Sequence, residues 1–285
     1  MTESAAPISV VIPAYNAESF IGDAIRSVHA QTVGVAEIIV VVDDCSDRTQ
    51  QIAAELGATV LEQKRRNMAA GLNLGINAGT QPWIAFLDAD DLWDNEKIAV
   101  QWKAIETCPS AGLIACDSYA LVDDEVVNFE RNLSKRWHNL ANLVVTEHCH
   151  YFSRVEGEFF ERFYLETPTV MLRREVFSNV GVFDESLLYG QTLEFFGRVL
   201  RQYPLAFVAR PLVYRRLHSA NHTRNVEGAW SSYISITDRM LKNPDLYPPG
   251  AGKAHREVLK RMFHQTERVL AQRNGSDQRE AMRAK

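Results

Sequence analysis

Asp88-Ala89-Asp90 follows directly on the apolar run Trp83–Leu87. Two carboxylates two positions apart at a strand end can share one hard divalent cation. An ion of the Mg2+ kind takes few protein carboxylates and completes its shell from phosphate oxygens. A cation there neutralises the charge that grows on a departing diphosphate. The alternative reading is a solvated acidic turn that caps the next helix. A second acidic pair, Asp43-Asp44, closes the run Glu37–Val42. A carboxylate at that place can accept from a nucleobase N–H or a ribose hydroxyl. The alternative is a cap on the following helix, which Asp47 can provide instead. Pro13-Ala14-Tyr15 ends a third run, Ile8–Ile12. A fixed turn there sets the Tyr15 ring against a flat base.

The elements that must position these turns are legible as periodicity. Ile8–Ile12, Glu37–Val42, Ala58–Leu61 and Trp83–Leu87 read as buried parallel strands. Helical spacing of apolar residues fills Ser19–Gln31, Asp47–Leu56, Met68–Ala78 and Asn95–Glu106, with Gly57 as a helix stop. The alternation predicts βαβ units: an α/β, Rossmann-like, mostly parallel sheet with helices on both faces. Such sheets bind ligands outside the carboxyl ends of their strands, and all three polar turns fall there. Ala111–Cys116 reads as a further strand. Beyond it Val122–Tyr151 is irregular, Ser153–Tyr164, Arg174–Val180 and Leu193–Gln202 read as helices, and Thr169–Leu172 as a short strand. Ala206–Ala209 and Leu212–Arg215 read as two strands broken by Pro211.

The 285 residues, 46% hydrophobic and 24% charged, are enough for one large core. A net charge of −5 argues against a nucleic-acid partner, which calls for a broad positive field. Cys45, Cys108, Cys116 and Cys149 have neither zinc-ligand spacing nor the pattern of a disulfide framework. Residues 1–7 lack a basic then apolar leader, and no apolar run approaches the roughly 20 residues that span a bilayer. A reduced, cytoplasmic setting is the expectation. Toward the end of the chain, Val258, Leu259, Met262, Phe263, Val269 and Leu270 form an apolar stripe flanked by Lys253, Arg256, Lys260, Arg261 and Arg268. A helical tail packed on the domain is the simpler reading, and peripheral contact with anionic lipid is the other.

Taken together, the stretches Ile8–Asn16, Glu37–Ser46, Gly71–Gly79 and Trp83–Trp93 resemble glycosyltransferase family 2, whose members adopt the GT-A fold. A looser likeness continues through Val170–Arg174, Val180–Leu187 and Pro211–His218. The resemblance implies a nucleotide-sugar-dependent glycosyltransferase with Mn2+ or Mg2+ as cofactor. It implies a nucleotide-diphosphate donor, most often a UDP-sugar, and a glycan, lipid-linked or small-molecule acceptor. Pro13, Ala14 and Tyr15 would line the nucleobase pocket and Asp44 would bond the base. Asp88 and Ala89 would lie at the ribose and metal shell, Asp90 would ligate the metal, and His218 would stand near metal and diphosphate. The expected divisions are a nucleotide-sugar half over 1–117, an acceptor half over 118–222 and a helical extension over 223–285.

The sequence also departs from the family. Inverting members use a carboxylate base to deprotonate the acceptor, commonly in a Glu-Asp pair soon after a Gly-x-Phe-Asp segment. Here Gly181-Val182-Phe183-Asp184 is present, but the acidic pair is replaced by Gln191-Thr192. Glu194, in the first turn of the following helix, is the nearest substitute, with Asp184 and Glu185 as alternatives; a plain first-turn charge is the other reading of Glu194. Leu72 stands where the family often has Arg, and Lys64, Arg65 and Arg66 are the nearby cations that could face a diphosphate or form a solvated loop. His138, His148 and His150 have no trustworthy ligand spacing. A binding protein that has lost transfer is the competing class. A nucleotidyltransferase is disfavoured, because Pro13–Ser19 contains no glycine for a phosphate loop.

Overall fold

The computed structural model describes residues 5–122, 125–127, 142–157, 159, 165–218 and 226–261, with the side chains of 226–229 excepted. In chain order the first half runs β1 (Ala6–Ala14), α1 (Ile21–His29), β2 (Val35–Asp43), α2 (Thr49–Glu55), β3 (Thr59–Gln63), α3 (Met68–Ala78), β4 (Trp83–Phe86), β5 (Leu92–Trp93) and α4 (Lys97–Thr107). Then come β6 (Leu113–Val122), β7 (Glu125–Val127), β8 (Leu143–Val145), β9 (His150–Phe152), β10 (Met171–Arg173), α5 (Arg174–Val180), α6 (Gln191–Gln202), β11 (Leu205–Arg216), α7 (Val226–Lys242) and α8 (251–261).

One mixed sheet carries the fold, in the order β3-β2-β1-β4-β10-β6-β11-β9-β8, with β7 on β6 and β5 on β11. Its long strands are parallel: β3, β2, β1 and β4 on one side, β6 and β11 on the other. The short β10 runs antiparallel to both β4 and β6. Two reversals cancel, so β4 and β6 point the same way. The ends of β1, β2, β4, β6 and β11 therefore open on a single edge. β1 and β4 are buried on both faces, which is why they read as unbroken apolar runs rather than as alternation. The helices divide over two apolar clusters, one behind each face of the sheet. Gly75 lets α3 lie directly on β1 and β2, because a Cβ there would collide with the Val11 side chain.

Two expectations change in detail. Pro211 does not end a strand: β11 is continuous from Leu205 to Arg216, with register shifts on either side of Pro211. A bulge at the proline removes the need for its missing N–H. The strand expected at Thr169–Leu172 begins with a 3-10 turn, Thr167–Thr169, before β10. Of Ser153–Tyr164, only 153–157 and 159 are described, and 160–164 lie outside the described residues. His138 lies outside them, as do Met262, Phe263, Arg268, Val269 and Leu270 of the basic tail.

Helices α7 and α8 are part of the main core. Ile236, Met240, Tyr247, Ala251 and Ala254 are buried in the same cluster as Phe86, Phe183, Phe195 and Phe196. The two helices are joined to each other by a buried polar contact between Thr237 Oγ1 and His255 Nδ1, 2.7 Å apart. The threonine hydroxyl gives its single proton to the Tyr233 carbonyl at 2.8 Å. Nδ1–H of a neutral His255 therefore donates to it.

Burial holds His255 down to about 4. An unfolded histidine takes its proton near pH 6.5, so the contribution is complete above that value and is lost as pH falls toward 4. We expect the melting temperature to drop between pH 7.5 and 4.5 by several degrees more in the wild type than in His255→Gln. The loss corresponds to at most roughly 3 kcal/mol. Parallel melting curves for the two proteins would discount this if the pH effect were equal in both.

Candidate functional site

The ligand edge is built from loops tied to one another across the ends of β1 and β2. Asn16, in the left-handed region at φ 43°, accepts the Ser46 N–H on its side-chain oxygen at 2.8 Å. The Ala17 N–H donates to Thr49 Oγ1 at 2.8 Å, and the Glu18 N–H donates to Asp47 at 3.0 Å. Asp47 also accepts the Thr49 N–H at 3.0 Å, so it serves the start of α2 as its sequence position suggests.

Asp43 is buried and engaged. Its carboxylate accepts the successive backbone N–H groups of Arg65, Arg66 and Asn67 at 3.0, 2.9 and 2.8 Å, and the Gln63 side-chain amide at 2.9 Å. Consecutive amides converging on one anion form a nest. That nest fixes residues 65–67, and each then reaches a different part of the edge. Arg66 forks onto Asp44 through Nε and Nη2 at 3.2 and 3.1 Å, and its guanidinium lies 5.7 Å from the centre of the Tyr15 ring. Arg65 pairs with Glu185 at 2.7 Å. Asn67 caps α3 through the Ala70 N–H at 3.1 Å and donates to the Glu185 carbonyl at 2.7 Å. Pro13 and Ala14 lie at the end of β1, and Tyr15, just beyond, is 53% exposed.

The acidic turn after β4 meets the end of β11. Asp90 Oδ2 lies 3.0 Å from His218 Nε2, although the two residues are 128 positions apart. The His218 ring stacks on Phe20, with centroids 4.8 Å apart and planes at 20°. Arg216 sits over the same phenyl ring at 5.5 Å and pairs with Asp23 at 3.2 Å. Asp91 is buried and accepts the Arg216 N–H at 2.9 Å, which fastens the turn to β11. Ala89 is buried between them. Below, Glu166 pairs with Arg215 at 2.6 Å and accepts from Ser118 at 2.5 Å. The turn that follows it is held in place by Trp93 Nε1 on the Pro168 carbonyl at 3.1 Å and Gln101 on the Thr169 carbonyl at 2.9 Å.

Several carboxylates crowd this cluster, and Arg215 lowers the Asp88 and Asp91 carboxyls only in part. Burial first, then the charges of Asp90 and Glu166, push the Asp88 carboxyl up to about 7 against the pull of Arg215. Burial and the neighbouring Asp88 and Asp90 likewise raise Asp91 well above the carboxylate range. Asp88 Oδ1 is buried without a hydrogen-bond partner. An orphaned carboxylate oxygen beside a second carboxylate and an imidazole is a donor set suited to a hard divalent cation. Among the described residues no group of three or more His, Cys, Asp or Glu side chains is placed to hold a metal ion by itself.

The carboxylates considered for proton removal have different surroundings. Glu194 is 2% exposed; it accepts from Arg198 at 2.9 and 3.0 Å and from the Tyr247 hydroxyl at 2.8 Å. Arg198 also donates to the carbonyls of Val180 and Val182, both at 2.7 Å. The structure thus directs Glu194 into the junction of α6 with the C-terminal helices rather than to the ligand edge. Asp184 pairs with Arg239 and accepts from Ser186. Burial alone would raise it, but these partners hold it down to about 2. Glu185 faces the other way, toward Arg65 and the α3 side chain of Asn73, which donates to it at 3.1 Å. Gln191 reaches Met68 Sδ at the start of α3 at 3.3 Å. Leu72 is a fully buried core residue. His148 and His150 lie on the β8–β9 hairpin at the far end of the sheet from β2. Phe20, Asn67, Asn73 and Glu166 are site-supporting residues that sequence reasoning did not single out as such; each acts on a partner at least 48 positions away.

Residues 9–181, more than half of the chain, match the profile of Glycosyl transferase family 2. The chain belongs to that family. It is therefore a glycosyltransferase, and its sheet and helices are of the GT-A type. An uncharacterised glycosyltransferase of Rickettsia typhi is 26% identical over 237 residues, covering 82% of this chain and 71% of the relative. Among solved structures, S. aureus TarS 1–349 in complex with UDP superimposes with a TM-score of 0.65 at 16% identity, over 90% of this chain and 72% of that one. A mannosyltransferase from Pyrobaculum calidifontis in complex with GDP-Man and Mn2+ gives 0.62 at 15% identity, over 90% and 70%. At such identities these two likenesses establish the fold.

Replacing Asp43 by Asn leaves one acceptor oxygen and turns an NH2 toward a ring of N–H donors. We expect Asp43→Asn to cost about 2 kcal/mol in denaturant unfolding, the scale for leaving buried donors unpaired. Hydrogen exchange at the amides of residues 65–67 should accelerate at least tenfold. Protection unchanged in that segment would show that another contact holds the loop.

Proposed function

We propose that this glycosyltransferase moves a sugar from a nucleotide-diphosphate donor, most simply a UDP-sugar, to a hydroxyl of a glycan, lipid-linked or small-molecule acceptor, with inversion. The observation that carries the reading is the contact of Asp90 with His218, in the acidic turn that also holds Asp88, at the same ends of the strands as Tyr15 and Asp44. TarS with UDP and the mannosyltransferase with GDP-Man and Mn2+, similar in fold, support a nucleotide donor and a metal.

On this reading Tyr15, with Pro13 and Ala14, is the platform for the base, and Asp44 accepts a base N–H once Arg66 yields. Both Arg66 contacts are solvent-exposed, so each is worth about 1 kcal/mol or less and a nucleobase can replace them. Asp90 and His218 would hold Mn2+ or Mg2+, with Asp88 in the same turn. Such an ion would supply positive charge to offset that on a departing nucleoside diphosphate. Phe20 keeps the His218 ring oriented. The remaining need is a base within reach of the acceptor hydroxyl. Glu194 is 2% exposed against Arg198 and Tyr247, Asp184 is held by Arg239, and Gln191-Thr192 cannot accept a proton at neutral pH. Glu185 also pairs with an arginine, but that partner, Arg65, is 62% exposed and can turn away. Glu185 is the carboxylate that faces the donor half, and its side chain is 35% exposed. We assign the proton removal to Glu185 in place of Glu194. Among the described residues no helix is long and apolar enough to cross a membrane; the cytoplasmic location is part of the proposal.

Purified protein with Mn2+ and a panel of nucleotide-sugars should release nucleoside diphosphate, and Asp90→Ala should abolish the release. Nucleotide binding with no turnover on any acceptor would instead identify a protein that has kept the site and lost transfer. Glu185→Gln should cut turnover by about 10²-fold or more with donor affinity retained, whereas Glu194→Gln should lower the melting temperature and leave turnover per folded molecule nearly intact. The reverse pattern would return the base to Glu194.

A further inference from the structure

Two of the four cysteines stand face to face. Cys108 Sγ and Cys149 Sγ are 3.3 Å apart and both residues are buried. Cys108 ends α4, and Cys149 lies in the turn between β8 and β9. The two segments are docked by a second contact two residues further along each, Ser110 Oγ to Tyr151 Oη at 2.8 Å. The turn that carries Cys149 is itself tied: Thr146 N–H donates to the Cys149 carbonyl at 2.9 Å, and the Cys149 N–H donates to Thr146 Oγ1 at 2.9 Å. The sulfur pair is thus set by two anchored backbones and not by one rotamer. Closing from 3.3 Å to a bond of about 2.05 Å needs side-chain rotation on a scale that side chains accommodate.

We propose that Cys108 and Cys149 are a reversible disulfide site, a redox staple that clamps the β8–β9 hairpin to the end of α4. The loop it closes contains β6, whose Ser118 supports Glu166 under the acidic turn, and the β7 and β8 strands beyond. The other two thiols have no such partner: Cys45 is half-buried beside Ala14 and Asn16, and Cys116 contacts the Thr169 carbonyl. Burial, and then the neighbouring Cys149, push the Cys108 thiol up to about 12. Little of Cys108 is thiolate near neutral pH, so oxidation of the pair is slow and calls for a small oxidant that can enter the buried site. With a peroxide, one thiolate attacks the O–O bond to give a sulfenic acid and release hydroxide. The second thiolate displaces the sulfenic hydroxyl, the S–S bond forms, and both oxygens leave as water. Two sulfurs are oxidised and one peroxide is reduced.

The test is non-reducing peptide mapping of the folded wild-type protein after hydrogen peroxide treatment and quenching. We expect a peptide linking Cys108 to Cys149, a mass 2 Da below that of the two separate thiols (one hydrogen lost from each sulfur), and full reversal by dithiothreitol. The oxidised protein should melt several degrees above the reduced one, because the staple restricts the unfolded chain. Cys108→Ser and Cys149→Ser should each lose the link and the shift. Recovery of Cys108 and Cys149 as separate thiols or separately oxidised, while circular dichroism shows the protein folded, would overturn the proposal. So would a link that appears only after denaturation, or equally with Cys45 and Cys116.

Discussion

A carboxylate accepting four N–H groups at the end of β2 holds the ligand edge in shape. Asp43 takes three consecutive amides from residues 65–67 and a fourth donor from Gln63. Without it, the loop between β3 and α3 would expose unpaired donors and lose its reason to curl. With it, Arg66 is delivered to Asp44 and Tyr15, Arg65 to Glu185, and Asn67 to the start of α3. One buried anion thus couples Tyr15 and Asp44 at the end of β1 and β2 to Glu185 and the start of α3. A bond to a charged acceptor is worth more than a neutral one, and the low dielectric around a buried group strengthens it further.

The acidic turn after β4 is built on the opposite principle. Asp88 and Asp91 are crowded by each other and by Asp90, and Arg215 answers only part of the charge. A fold selected for stability alone would avoid a buried carboxylate oxygen with no donor. Its presence here, in the turn whose Asp90 contacts His218 on a stacked phenyl ring, is the feature on which the proposed cation site rests. Local rules of consistency tend to be broken at functional sites, and the break lies at the turn that the sequence pattern singles out first.

Between these two clusters, α3 acts as a strut. Asn67 and Asn73 both bond the 183–185 segment, and Phe183 drives that segment into the aromatic core against Phe86 and Phe195. The C-terminal helices complete the same core and engage Glu194 and Asp184 through Tyr247 and Arg239. This explains why an acid in the first turn of α6 is structural in character. Its partners, Arg198 within the helix and Tyr247 from the following segment, leave it 2% exposed. Glu185, one residue from Asp184, is spared because its side chain turns to the other side of the chain.

The fold class was determined by the amino-acid sequence alone. Buried parallel strands need unbroken apolar runs, and Ile8–Ile12, Glu37–Val42 and Trp83–Leu87 have no other stable use. The same applies to the three turns at the strand ends, because polar residues that interrupt such runs must lie at an edge. What the tertiary structure alone decided are the pairings between distant residues. Nothing local in Asp90, His218 or Phe20 announces their contact, which depends on β10 being inserted antiparallel so that β4 and β11 end together. Nor does any spacing distinguish Asp43, consumed by a loop, from Asp44, which faces the ligand edge. A side chain's role follows from the groups that surround it, and here those groups come from elsewhere in the chain.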